Sequence, residues 1–176
     1  MPFGSAFTLH NLGISLDNQP LLYGVTGIAS MIFGPVTGKI SDKIGKYKMF
    51  CIGSVISIVM VLIYTSLGVT PLGIVMLLNV LLFIGISSRM ISASALMSAI
   101  PQPKDRGAFM SVNSSVQQIS GGIASAVAGL IVFQSSTGKL EHYNWLGYVV
   151  TAAILITMLL LYFIHLYVNK KEHTSV

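Results

Sequence analysis

Charge is what this chain of 176 residues has least of. Asp, Glu, Lys and Arg make up 9% of it, where a soluble domain carries about 25%. So little charge cannot keep a chain with 53% hydrophobic residues in water, which excludes a soluble enzyme and a disordered tail. Cysteine is nearly absent. The lone Cys51 cannot close an internal disulfide, so a disulfide scaffold is excluded and a small packing role is left. Met1-Pro-Phe-Gly lacks the basic start of a secretory signal, and neither end carries a lipid-anchor motif. No metal-ligand spacing, nucleophile triad or phosphate-cradling glycine loop occurs, and His142 and His173 stand isolated. An enzyme is not expected, and no cofactor is implied.

The missing charges fall in blocks. None lies between Asp17 and Lys39, Lys48 and Arg89, Arg106 and Lys139, or Glu141 and Lys170. Each gap holds a membrane helix of about 20 residues, and the second holds two. Mean hydropathy is +0.80. The fold class is therefore all-α, a polytopic membrane helix bundle with about five complete transmembrane helices. The expected spans are 21–38, 49–67, 72–100, 107–134 and 145–168, with a turn at Gly68-Val-Thr-Pro71. Strands are not expected, because the apolar segments are far longer than the ~10-residue strands of a membrane barrel.

The basic residues orient these spans. Lys39, Lys43, Lys46 and Lys48 separate the first pair, Lys104 and Arg106 separate 72–100 from 107–134, and Lys170 and Lys171 follow the last span. Only Lys139 and Arg89 fall elsewhere. The positive-inside rule puts these loops and the C-terminus in the cytoplasm of an integral plasma (inner) membrane protein. The net charge of +5 then reads as loop bias and not as a nucleic-acid surface. Tyr143 and Trp145 fit the outer aromatic belt. Five spans ending inside must begin outside, which makes residues 1–16 the remnant of a preceding transmembrane helix and 17–176 the helix bundle. The chain reads as the C-terminal part of something longer.

Several polar residues lie where lipid-facing helices avoid them. Arg89 is 18 residues beyond Pro71, about 27 Å along a helix. A charge within a span costs about 2.5–3.5 kcal/mol on insertion scales unless it snorkels or faces a wet cavity. Its neighbours Gly85, Ser87, Ser88 and Ser92 are small, as a cavity wall would be. Substrate contact, a structural polar network and snorkelling all remain open for Arg89. Asn113 and Gln117 are four apart and share a helix face, either lining a pathway or bonding between helices. Asn79, Gln118 and His165 are the other polar groups in spans, His165 near an interface. No Asp or Glu lies within a span, although proton-coupled carriers commonly use a buried carboxylate. Two small-residue rows, Ser30-Gly34-Gly38 and Gly121-Ser125-Gly129, are expected to let helices approach closely.

The densest local pattern is Gly38-Lys-Ile-Ser-Asp42-Lys43-Ile-Gly45-Lys46. A carboxylate ends one helix, a glycine gives freedom for a tight turn, and lysines meet anionic headgroups. Asp42 can pair with those lysines or with a helix N-terminus. This pattern resembles the signature loop of the major facilitator superfamily at Gly38, Asp42, Lys43, Gly45 and Lys46. Asp105, Arg106 and Gly107, followed by Asn113, Gln117-Gln118 and Gly121-Gly122, are similar to the loop and eleventh helix of its drug:proton antiporter and efflux branch. Asn11-Leu-Gly-Ile through Leu21-Leu-Tyr-Gly24 is similar to the link from the seventh helix to the eighth.

The resemblance implies that the five spans are helices eight to twelve of a twelve-helix secondary transporter of small molecules. It implies alternating access between two six-helix halves, with ion or proton coupling through an acid in the absent half. It further implies partners: the lipid bilayer, an unidentified small-molecule substrate, and an N-terminal six-helix half on the same longer chain or a separate one. Arg89, Asn113 and Gln117 are the candidate cavity residues. A different class competes, namely a non-transporting membrane partner subunit or an inactive truncated gene product.

Overall fold

The computed structural model describes residues 3–136 and 138–174. The side chains of Asn169, Lys171, Glu172, His173 and Thr174 lie outside the described residues. Six helices follow one another: α1 (Gly4–His10), α2 (Gln19–Ile44), α3 (Lys46–Thr65), α4 (Leu72–Met97), α5 (Arg106–Ile131) and α6 (Tyr143–Thr174). Among the described residues, four helical segments are long and apolar enough to cross a membrane: Leu16–Ile44, Lys46–Thr65, Leu72–Met97 and Tyr143–Val168. The fifth expected span forms a helix of 26 residues, but α5 is not among those four. Its Ser, Asn and Gln residues dilute the apolar ones.

The expected boundaries shift in places, each for a physical reason. Helix α2 does not stop at Gly38 but continues through Asp42 and Lys43. The lysine-rich loop is thereby reduced to one residue, Gly45, with α3 starting at Lys46. Gly45 has φ 100° and ψ 137°, a conformation that a Cβ strains. Gly45→Ala is expected to lower stability by about 1–3 kcal/mol. Thermal unfolding in detergent checks it, and an unchanged midpoint would count against a strained hinge.

Helix α5 ends at Ile131 and not at residue 134, because Val132 turns extended. A small hairpin follows, β1 (Phe133–Gln134) pairing antiparallel with β2 (Leu140–Glu141). This corrects the expectation of a strand-free chain. Helix α6 runs past residue 168 to Thr174, so Lys170 sits on the helix and not on a tail.

The main apolar core lies at the end of the bundle away from Gly45. Phe7, Leu12, Leu22, Tyr64, Val75, Val132, Leu140 and Tyr143 are buried together there. The Phe7 ring stacks on Tyr143 at 3.9 Å between centroids. The Thr8 and Tyr64 hydroxyls lie 3.3 Å apart. The Asn11 side chain acts like a strand partner: its Nδ2 donates to the Leu140 carbonyl at 2.8 Å, and its Oδ1 accepts from the Leu140 amide at 2.9 Å. Residues 3–14 thus close one end of the bundle. Removing the amide in Asn11→Ala strands two buried backbone groups, at about 1–3 kcal/mol for a buried unsatisfied group. Faster hydrogen exchange at the Leu140 amide is the expected readout, and unchanged protection there would contradict it.

Helices α3 and α4 cross at closest range through Gly53 and Gly85. A Cβ on Gly85 would meet the Ser57 amide nitrogen at 3.0 Å and the Gly53 carbonyl at 3.1 Å. A Cβ on Gly53 would meet the Ser88 Cβ at 2.7 Å. The two expected small-residue rows do not mark such crossings within this chain. A Cβ on Gly34, Gly38 or Gly121 would have nothing within 4 Å, and one on Gly129 would touch only the Phe3 ring, at 3.9 Å.

Candidate functional site

Helix α5 packs against α6 and faces α3 and α4 across cavities. It buries only Ala128 among its residues. Beneath its first half is a cavity of about 260 Å³, walled by Arg89 and Ala93 from α4, Asn113 and Gln117 from α5, Phe50 from α3 and Thr157 from α6. The structure therefore brings Arg89, Asn113 and Gln117 together on one wall set. Helical spacing explains the convergence. Arg89 and Ala93 are four apart on α4, and Asn113 and Gln117 four apart on α5, so each helix offers one face.

Among the described residues, none gives Arg89 a counterion at the cavity. Its guanidinium carbon stands 5.4 Å from the centroid of the Phe50 ring, within the range of cation–π attraction. Its Nε is sealed from solvent and has no hydrogen-bond partner among the described residues. No Asp or Glu lines the cavity. The small residues flanking Arg89 divide between two jobs, which corrects the expectation that they all form cavity wall. Gly85 and Ser88 press against α3, whereas Ala93 and Ser94 face the cavity beside the larger Ile86 and Met90.

Phe50 and Thr157 escaped the sequence reading. Thr157 had one available signal, a lone hydroxyl in the apolar run of α6. That signal is weak, because its Oγ1 donates to the Ile154 carbonyl at 3.1 Å, as helical threonines do. Phe50 had none, since its role depends on which face of α3 meets α4.

The signature residues lie at the other end of α2. Asp42, Gly45 and Lys46 border a second cavity of about 340 Å³, together with Ser41 and His165. Gly38 and Lys43 stay outside it. Asp42 and Lys43 are exposed on the last turn of α2, and Lys46 is half-buried. Asp42 therefore sits at a helix C-terminus, the end whose dipole disfavours a carboxylate. His165 stacks on Tyr47 at 5.1 Å, and Ser41 reaches Ser92 on α4 at 3.3 Å between hydroxyl oxygens. Asp105, Arg106 and Gly107 are exposed where the α4–α5 connection enters α5, away from both cavities. Gln118 is exposed on α5, and Asn79 is buried near Tyr23 and Tyr64.

A third cavity of about 320 Å³ lies under the second half of α5 and is almost wholly apolar, bordered by Val61, Ala128, Leu146 and Val150. Gly121 and Ser125 of the small-residue row face this space and not a neighbouring helix. Their small size leaves room where close packing was expected.

Four helical segments long and apolar enough to cross a membrane mark an integral membrane protein. The chain belongs to the Major Facilitator Superfamily, whose family model matches residues 1–176. That membership indicates a transporter-type function. Among curated proteins, none matches the sequence.

Proposed function

We propose that this chain forms the C-terminal part of a secondary active transporter of small molecules, of the drug:proton efflux type. In this reading α2 to α6 are helices eight to twelve of a twelve-helix permease. Residues 1–16 are the remnant of a preceding helix. The Gly45 end and the C-terminus face the cytoplasm across the plasma (inner) membrane. The cavity beside Arg89, Asn113 and Gln117 is one wall of the substrate path, and Asp42, Lys43, Gly45 and Lys46 form a hinge contact with the other half. An N-terminal six-helix half covers α5, and the two halves rock to give alternating access. Its acid couples transport to an ion or proton gradient. No enzymatic step is involved.

The observation that carries this reading is the cavity itself. It holds a cation and two amides at helix faces that a lipid-exposed bundle would fill with leucine. The exposed length of α5 supports it, because Ser111, Ser114, Ser115, Gln117 and Gln118 all stand uncovered there. Such residues are costly in lipid and at ease against protein or a wet path.

The test starts from the size of the native membrane polypeptide against 18.8 kDa for these residues. The native protein is then reconstituted in vesicles with an imposed pH gradient, and dye extrusion is followed. Extrusion that collapses with the gradient is the expected result. A protein that reconstitutes intact and moves nothing would overturn the reading in favour of a non-transporting subunit.

A further inference from the structure

The geometry points to an anionic amphiphile as the ligand of the Arg89 cavity: one carboxylate, sulfonate or phosphate group on an apolar body. This rests on the transporter reading and goes beyond it to the substrate's chemistry. Three observations converge. First, among the described residues Arg89 is the only charged one bordering the cavity; its Nε is closed to solvent and ligand alike, so the rest of the guanidinium is what a ligand can meet. A guanidinium offers a planar fork of donors that matches an oxyanion, and its attraction for a charged acceptor strengthens as water is excluded. Second, the rest of the wall suits an apolar body, with Phe50, Ile86, Met90, Ala93 and Met97 around it. Third, Asn113, Gln117 and Thr157 add neutral polar groups and no competing carboxylate. A cationic ligand would meet Arg89 with like charge and find no acid on this wall to offset it.

Phe50 sharpens the choice. The guanidinium lies over its ring, which occupies one face of the ion and leaves the donor edges for a ligand. The cavity of about 260 Å³ is near the lower limit of small-molecule sites, so the expected ligand is about the size of a bicyclic aromatic acid.

The test uses the native protein in neutral detergent and three probes of nearly equal size. These are 1-naphthoate, its uncharged carboxamide, and 1-naphthylmethylammonium. Equilibrium dialysis should find naphthoate bound about tenfold tighter than the carboxamide, the difference expected for a hydrogen bond to a charged partner. The ammonium should bind weakest. Arg89→Gln should bring naphthoate down to the carboxamide level, and Arg89→Lys should keep part of the preference. The comparison of probes on the unaltered protein needs no variant to fold. Equal binding of all three overturns the anion assignment and leaves a transporter reading standing. Failure of every probe to bind, with dye extrusion also absent, removes both. Adding phosphatidylglycerol separates two sources of the same chemistry. Displacement of naphthoate identifies a lipid headgroup as the occupant, and its retention against phosphatidylcholine and phosphatidylglycerol alike identifies a free organic anion.

Discussion

Arg89→Ala should cut transport sharply while leaving the amount of protein in the membrane unchanged or higher. The two halves of this expectation come from the same physics. A charge within a span costs about 2.5–3.5 kcal/mol on insertion scales, so its removal eases insertion. The Nε has no protein acceptor among the described residues, so no hydrogen bond made through it is lost. What disappears is the ligand's charge partner, and losing it is expected to cut the transport rate by about tenfold or more. Initial uptake rates normalised to membrane content measure this. Normal transport would sink the assignment of Arg89 to the substrate path. A loss of protein from the membrane would show instead that Arg89 serves the fold through its contact with the Phe50 ring.

Gly85→Val should have the largest effect on the fold. The added carbons have no free direction. At this position even a single Cβ meets Ser57 Oγ at 2.7 Å and backbone atoms of α3 at 3.0 and 3.1 Å. Side chains can rotate away, but the backbone of Ser57 and Gly53 cannot move without separating the helices. Overpacking of one methyl group costs about 1–3 kcal/mol, and valine brings more atoms than that. Loss of the folded species in detergent, read by size-exclusion profile and melting point, is expected. Gly34→Ala is the contrast, because nothing lies within 4 Å of its Cβ position. Alanine there should hold or raise helix stability by up to about 1 kcal/mol. Equal melting points for the two variants would show that α3 and α4 do not cross as described.

The contrast between those glycines also marks what a linear sequence reveals. Because a bilayer sets a minimum length and tolerates few ions, gaps between charges located all five long helices, although α2 and α6 run six residues past their expected ends. The same logic flagged Arg89, and the four-residue interval paired Asn113 with Gln117. Those signals are local to one helix. Choosing which glycines matter is not local. Gly34 and Gly121 sit in rows of three small residues, whereas Gly53 has only Ser57 four places on and Gly85 has Arg89, yet the latter pair of glycines meets across two helices. The rows describe a face, and a face acquires meaning only with a neighbour.

Other features escaped for related reasons. The pairing of Asn11 with Leu140 spans 129 positions, beyond any spacing rule. The burial of Phe7 under Tyr143 turns a stretch that looked peripheral into core. Asp42 and Lys43 read as a loop because charge clusters usually are loops, but α2 carries them as its final turn and spends a single glycine on the reversal. Four helical segments met the hydropathy expected of a span. Helix α5 did not, and its polarity reflects what it faces more than how long it is.

That one-residue reversal has a mechanical consequence. Helices α2 and α3 share a joint with no slack, so neither can slide lengthwise without dragging the other; only torsion about Gly45 is free. Helix α5 is mounted differently. Residues 98–105 lead into it and the β1–β2 hairpin leads out, and along its length only Ala128 is anchored by burial. The chain thus resembles a rigid frame carrying one loosely hung member. A displacement imposed from outside would be spent first on α5, enlarging or shrinking the spaces on its inner side while the frame keeps its dimensions.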